Sequence, residues 1–492
     1  MRRSTGLALA AAAAMAATAF APMPMDTNPL DSPVVQLAAE VITSPNVEYL
    51  GTIPIDTPGV GGAVVEEHGV TGQRLFYITG AKGLTVYDIE DPTLPVPIGF
   101  LPFYHAQNED LSISTDGTRA IISADGSIAV PVAPLTTGIH VVDVSDPTNP
   151  TMVATIKESN HTTECADEAC NWLYGSSTAG IYDATRANEG IITRVEGRNY
   201  NEYINEQGNP ASAGGRHASN LDASGLVTTD SNPRLVLDPR PTGEVDANGQ
   251  PYGYDNPKVL AVGFRNDQTD GRLQHNNFRP RATEWVARDA TNPDDAYSTD
   301  GLSRFNPADV ILPEGSLRPG ELLIGNAETN LNPTCNMAGG ISTWDMRDYD
   351  KGRSPVQLNV FNPTRGTWLD GNPAANGLGC SGHWFSVQED GTTTASWYEH
   401  GVRFFDIGLD TGSIEEVGFF QPLATQAGAA YWITDEIVYS ADYARGLDIV
   451  RFDKDGERPS EEERVNSWAT NLGKLGEFSS AERYFCNLAI TD

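Results

Sequence analysis

Short apolar runs recur along this chain, and most are followed by a second run that opens on glycine and closes on aspartate. LFYITG (75–80) precedes GLTVYD (83–88), and AIISADG (120–126) precedes GIHVVD (138–143). WLYGSS (172–177), VLAVG (259–263), ELLIGN (321–326), TASWYEH (394–400) and EIVYSAD (436–442) bring the first runs to seven. The second run returns in degraded form as Gly180-Ile181-Tyr182-Asp183, as Gly340 to Asp345, as Val402 to Asp406 after Gly401, and as Gly446-Leu447-Asp448-Ile449-Val450. Runs of this length, rich in β-branched and aromatic residues and bounded by Gly, Asp and Pro, predict strands joined by turns. Seven modules of three or four strands predict an all-β chain, a seven-bladed β-propeller with long loop insertions over residues 45–452. Radial repetition is what lets one domain use so much chain.

The insertions are expected at about 198–216, 237–257, 282–318 and 346–382, where Gly, Pro, Asn and Asp dominate. A break inside 282–318 into two domains is the competing organisation. Residues 22–44 read as an N-terminal extension. Residues 453–492, with the charge run EEER (461–464), read as a C-terminal closing segment or cap.

Composition narrows the picture. Gly 48 and Pro 32 in 492 residues argue against a helix bundle. A net charge of −34 repels nucleic acid and anionic membranes. Arg2 and Arg3 precede a small apolar run from Gly6 to Ala21, the pattern of a signal peptide over 1–21. The expected location is therefore secreted, cell-surface or periplasmic, and no later run is long enough to predict a membrane span. Export permits disulfides, and Cys165 with Cys170 is the favoured pair. Cys335 and Cys380 offer a second bridge, which leaves Cys486 over.

Histidine placement points to chemistry. Of eight histidines, His105, His161, His217, His275 and His383 each fall at the expected start of a blade's innermost strand, with successive spacings of 56, 56, 58 and 108 residues. The last gap is read as a blade carrying an insertion. Equivalent positions in successive blades converge on a propeller's axis, and gathered imidazoles suit Zn, Cu, Fe or Ni. His400, Glu328 and Glu399 lie at turns beside the axis, as do Asp125 and Asp442. Glu109, Asp110 and Glu164 follow two of the histidines closely enough to ligate or to orient an imidazole. The metal set is thus His105, His161, His217, His275, His383 and His400, large enough for two ions of Cu, Fe, Zn or Mn. Interblade hydrogen bonding is the competing use of such histidines. His140 reads as structural and His68 as solvent-exposed.

The Gly-to-Asp phrases followed by Asp-Pro resemble the LVIVD-repeat proteins, a group of secreted bacterial and archaeal seven-bladed propellers. The resemblance is carried by GLTVYDIEDPTLPVPIG (83–99) and GIHVVDVSDPTNPTMVATI (138–156). QHNNFRP (275–281) and the Cys165 to Cys170 segment leading into NWLYGSS are similar to members with an axial histidine set. The family has no uniform activity, so the resemblance implies a fold and leaves the reaction open.

Absent motifs exclude several reactions: no G-x-S-x-G elbow, no H-E-x-x-H and no phosphate-binding glycine loop occur. Ser381 in GCSGH reads as a loop residue. An axial ion with an open position would activate water or dioxygen, with Glu164, Glu328 or Glu399 as catalytic base. Arg279 is expected to hold an anionic part of a small-molecule substrate. Trp384 and Tyr398, with Tyr104, Trp172 and Trp397, are expected to line the mouth and stack on a ring. A secreted metalloenzyme, either an oxidoreductase or a metal-dependent hydrolase or lyase, is one reading. A cell-surface propeller that binds a protein or glycan without catalysis is the other.

Overall fold

The computed structural model describes residues 30, 34–35, 41–54, 61–80, 82–103, 109, 111–125, 137–176, 180–196, 217–230, 234–263, 272–287, 317–329, 339–347, 349, 355–361, 382–398, 400–422, 425–443 and 445–470. The candidates His105, Tyr104, Asp110, Cys335, Cys380, Ser381, Glu399 and Cys486 lie outside them. So do the proposed leader and most of three of the four expected insertions.

The chain forms a seven-bladed β-propeller. Blades 1 to 5 are four-stranded antiparallel sheets within Gly62–Pro102, Leu111–Ile156, Thr163–Arg194, Ser219–Gly263 and Arg272–Phe361. Blade 6 has five strands, four within Phe385–Pro422 and Val41–Thr43 added on its outer edge. Blade 7 takes three strands from Ala427–Phe452, and its outermost strand is Val47–Ile53, paired with Gly446–Phe452.

The N-terminal segment therefore supplies the outermost strand of blade 7, whereas the sequence left residues after 452 as either a closing segment or a cap. The last element among the described residues is a helix, Glu461–Thr470, docked on blade 6. The reason lies in pairing: Glu48 to Ile53 find open backbone partners along Gly446–Phe452, whereas the run of three glutamates opens a helix and complements its N-terminal dipole.

Each second run is the third strand of its blade, and its terminal aspartate builds the turn. Oδ1 of Asp88, Asp143, Asp183, Asp238 and Asp345 accepts the backbone N–H two residues on, at 2.8–3.1 Å. The glycine that opens the run is fixed by close approach. At Gly83 (φ +143°) and Gly138 (φ +142°) a Cβ would run into the carbonyl oxygens of Leu101 and Ile156 on the neighbouring strand. In six blades the register between the third and fourth strands shifts, the irregularity expected where a sheet twists strongly.

The core is divided among the seams between blades. Among the described residues seven apolar clusters each join a neighbouring pair, including blade 7 to blade 1 through Ile53, Phe76, Tyr87 and Tyr439. This explains why the first runs are continuously apolar: in LFYITG, Leu75 and Tyr77 face blade 2 while Phe76 and Ile78 face blade 7.

Two assignments from sequence are corrected. VLAVG belongs to the outermost strand of blade 4, Lys258–Gly263, and the second strand is the short Val227–Thr229, too polar to stand out in sequence. His68 is buried, because the turn carrying it packs on blade 2: Gly69 N–H donates to Asp116 O, and His68 itself contacts Val144 O through Nε2 at 3.1 Å. His140 is buried beside Thr155, as a structural histidine should be.

Cys165 and Cys170 are bonded, with Cα atoms 4.7 Å apart and both side chains in the blade 2–blade 3 seam. Replacing both with alanine is expected to lower unfolding free energy by about 2 kcal/mol, since closing so short a loop removes little chain entropy. Urea unfolding of the oxidised protein against the double variant measures it, and no difference would contradict it.

Candidate metal centre

Four of the axial histidines come together as their spacing requires. His161, His217 and His383 sit two residues ahead of the innermost strands of blades 3, 4 and 6, and His275 lies within that of blade 5. Backbone-directed hydrogen bonds chain these loops around the ring: Thr162 Oγ1 donates to His217 O, His217 Nδ1 contacts His275 O at 3.2 Å, Asn326 donates to His383 O, and His383 Nδ1 contacts Gly428 O at 2.5 Å. The imidazoles are thus oriented by blade packing before any ligand arrives.

They converge on Glu109, which precedes the innermost strand of blade 2. Its Oε2 lies 3.0 Å from His161 Nε2, 3.1 Å from His217 Nε2, 3.5 Å from His383 Nε2 and 3.6 Å from His275 Nε2. His161 Nε2 and His217 Nε2 are 3.0 Å apart. Glu328, in the second strand of blade 5, stands with His275 and His383, all three within ligand reach of one another, and its Oε1 accepts the Tyr398 hydroxyl at 2.6 Å. All six groups are at most 1 % exposed.

The nitrogen bookkeeping identifies what this pocket suits. His217 and His383 turn Nδ1 to carbonyl oxygens, and His161 turns Nδ1 to Asp125 Oδ2 at 3.1 Å, so in the neutral rings the proton sits on Nδ1 and Nε2 presents a lone pair. Three lone pairs then crowd a carboxylate oxygen. That arrangement repels itself unless a cation or an extra proton stands among the donors. Separations of 3.0–3.6 Å are those of donors around a shared ion, about 3.3 Å for a tetrahedron with bonds of about 2.0 Å. Both nitrogens of His275 and Nε2 of His383 have no hydrogen-bond partner among the described residues, although fully buried. Imidazole and carboxylate without thiolate suit Zn, Cu, Fe or Mn.

Protonation within the cluster supplies such a positive charge. Burial opposes charge on His161, but Glu109 and then Asp125 outweigh it and lift the imidazole to about 10. Burial drops His217 to about 4 and holds His275 well below the ordinary imidazole value. Glu109 is resisted by burial yet held well below the carboxylate range by His161 and His383. A raised base stabilises fully below about pH 6.5 and loses that contribution as pH climbs through about 10. A lowered base stabilises above about pH 6.5 and loses its contribution as pH falls toward about 4. The cluster's contribution to metal-free stability is therefore expected to peak near pH 6.5. Thermal midpoints in chelator from about pH 4.5 to about pH 9.5 test this, and a monotonic profile would contradict it.

The other sequence candidates are dispersed. Glu164 is half-buried in the innermost strand of blade 3, paired with Tyr174, and belongs to neither ligand grouping of the described residues. His400 is buried, but its place is beside Arg403, whose Nε donates to the His400 carbonyl, and neither grouping includes it. Asp442 accepts from Thr425 and from the Gln426 and Arg445 amides, a turn-building role. Arg279 is spent within the fold on Asp222, Ser224, Gly320 O and Tyr349, so its guanidinium is an interior brace rather than an anion site. Trp172 stacks on Tyr254, and Trp397 packs with Phe361 and Phe405. Trp384 and Tyr398 do reach the centre, at 5.1 Å from His275 and 4.8 Å from His383 between ring centroids.

The sequence marks Glu109 as a ligand or an orienting acceptor beside His105, but not as the centre of the cluster. Its central place had no periodic signal, because it lies outside the register that exposed the histidines.

The LVIVD repeat family matches residues 132–157, the segment around the third strand of blade 2, so the chain carries an LVIVD repeat. Comparison with curated protein sequences gives no match. Similar solved structures include the β-propeller domain of Myceliophteria thermophila Cps50 (Swd1), at 11% identity, covering 83% of this chain and 100% of that one with a TM-score of 0.48. A putative 6-phosphogluconolactonase from Bacteroides uniformis matches at 11% identity over 78% and 92% of the two chains, TM-score 0.45. Kuenenia stuttgartiensis hydrazine synthase matches at 11% identity over 86% and 98%, TM-score 0.44. Likeness at this level carries no information about the chemistry of the site.

Proposed function

We propose that this protein is an exported metal-binding propeller in which a transition-metal ion at the axis ties blades 2 to 6 together, leaving the loop-bearing faces to bind a protein or glycan. The observation that carries this reading is the convergence of four buried Nε2 atoms on one carboxylate oxygen while three of the rings have Nδ1 committed elsewhere. Six ligating groups with almost no exposure favour a filled shell over an open catalytic position. The buried Cys165–Cys170 bridge supports export to an oxidising compartment. No helix among the described residues is long and apolar enough to cross a membrane.

Elemental analysis of protein purified without chelators or metal resins tests the reading. At least one first-row transition ion per chain is expected. Less than about 0.1 ion per chain, both as purified and after reconstitution with Zn, Cu, Fe and Mn salts, would overturn it.

One observation favours a metalloenzyme as the second reading. Burial pushes Glu328 up to about 7, close to the value a general base needs at neutral pH, and Trp384, only half-buried, sits edge-on to His275 between the centre and solvent. Azide added to cobalt-substituted protein separates the two: a shifted visible spectrum reports an exchangeable coordination position and the enzyme reading, an unchanged one the filled shell.

A further inference from the structure

Five of the six groups fall into two overlapping sets that share His275: Glu109, His217 and His275 on one side, and His275, Glu328 and His383 on the other. We propose that the centre is dinuclear, with His275 giving one ring nitrogen to each ion and Glu328 anchoring the second. This rests on the metal-binding reading above and deepens it.

Distances support the division. His161, His217 and Glu109 form a tight triangle with edges of 3.0–3.1 Å, whereas His275 and His383 stand further from Glu109, at 3.6 and 3.5 Å. The tight triangle with one His275 nitrogen makes a four-donor set. His383, Glu328 and the other His275 nitrogen make a three-donor set. His275 is singled out by its hydrogen bonding: the other three rings commit Nδ1 to an acceptor, while His275 has neither nitrogen hydrogen-bonded among the described residues although it is 0 % exposed. A buried imidazole left so is costly unless both nitrogens meet something. One carboxylate in each set, Glu109 in the first and Glu328 in the second, supplies a negative charge for each ion. A second orienting contact is already built, since Tyr398 holds Glu328 Oε1 at 2.6 Å. A ring bound through both nitrogens carries no N–H, so the His275 proton leaves to solvent as the second ion binds.

The test is a cobalt(II) titration of the full chain after dialysis against chelator, followed by visible absorbance and by proton release in weak buffer. Two equivalents are expected, with more protons released by the second than Glu328 alone accounts for. A break at one equivalent would overturn the dinuclear assignment and keep the single-ion reading, and no uptake would overturn both. Glu328→Gln is expected to take up one equivalent with an unchanged circular dichroism spectrum; two equivalents in that variant would overturn the place assigned to the second ion. Tyr398→Phe, which keeps the carboxylate, is expected to weaken only the second equivalent by about 10- to 100-fold. Equal weakening of both equivalents, or of neither, would count against the assignment.

Discussion

Chelation lowers the thermal midpoint of the wild-type protein by about 5 °C and that of the His217→Ala variant by less: this is the expected result if the axial ion is part of the fold. An ion present at about a thousand times its dissociation constant adds about 4 kcal/mol through mass action, and a domain of this size gains roughly 1.2 °C for each kcal/mol. The stabilisation is mechanical in origin, because the ligands come from five different blades and unfolding must separate them. His217→Ala removes a donor 3.1 Å from Glu109 and 3.0 Å from His161, so the set around Glu109 holds its ion less well against a chelator. The variant should keep its strand content, since its seams are built from the apolar clusters between blades. Differential scanning calorimetry with and without chelator decides the matter. An equal chelator response in both proteins would place the ion elsewhere.

The second large effect is expected at Arg403, far from the register that exposed the histidines. This guanidinium is 0 % exposed and donates to the His400 carbonyl, to Glu416 Oε1 at 3.1 Å, to Gln421 Oε1 at 2.7 Å and to Ser467 Oγ at 2.7 Å. It ties two strands of blade 6 to the helix Glu461–Thr470. Burial lowers its pKa to about 10 and Glu416 opposes the shift, so it stays charged at neutral pH. Arg403→Ala strands the buried Glu416 carboxylate, and a loss of about 3–5 kcal/mol is expected. Arg403→Met combined with Glu416→Leu removes both charges and should recover most of that loss. Urea unfolding of the single and double variants measures the difference, and equal losses would refute the ion-pair account.

The blade count was readable because the physics of a propeller repeats. Strands two and three of a blade are buried on both faces, so they appear as continuous apolar runs, and the turn after strand three needs an aspartate that accepts the next amide but one. Where that physics weakened, sequence reading slipped. The second strand of blade 4 is only Val227–Thr229, and the more apolar outer strand Lys258–Gly263 was taken in its place. The histidine register was legible for the same reason as the blades: equal spacing puts equal positions at the axis.

By itself, then, the sequence determined the modular β architecture, the bonded cysteine pair and the four imidazoles of His161, His217, His275 and His383 that meet, though it set His400 with them. Only the tertiary structure decided that Glu109 stands at their centre, that Arg279 braces the interior, that His400 belongs with Arg403, and that Val47–Ile53 closes the ring. Periodicity records constraints that every blade shares, and these survive as patterns along the chain. A carboxylate's place among four rings, or the choice of which terminus completes the last sheet, depends on contacts made once, between residues with no common spacing, and exists only when the ring is closed.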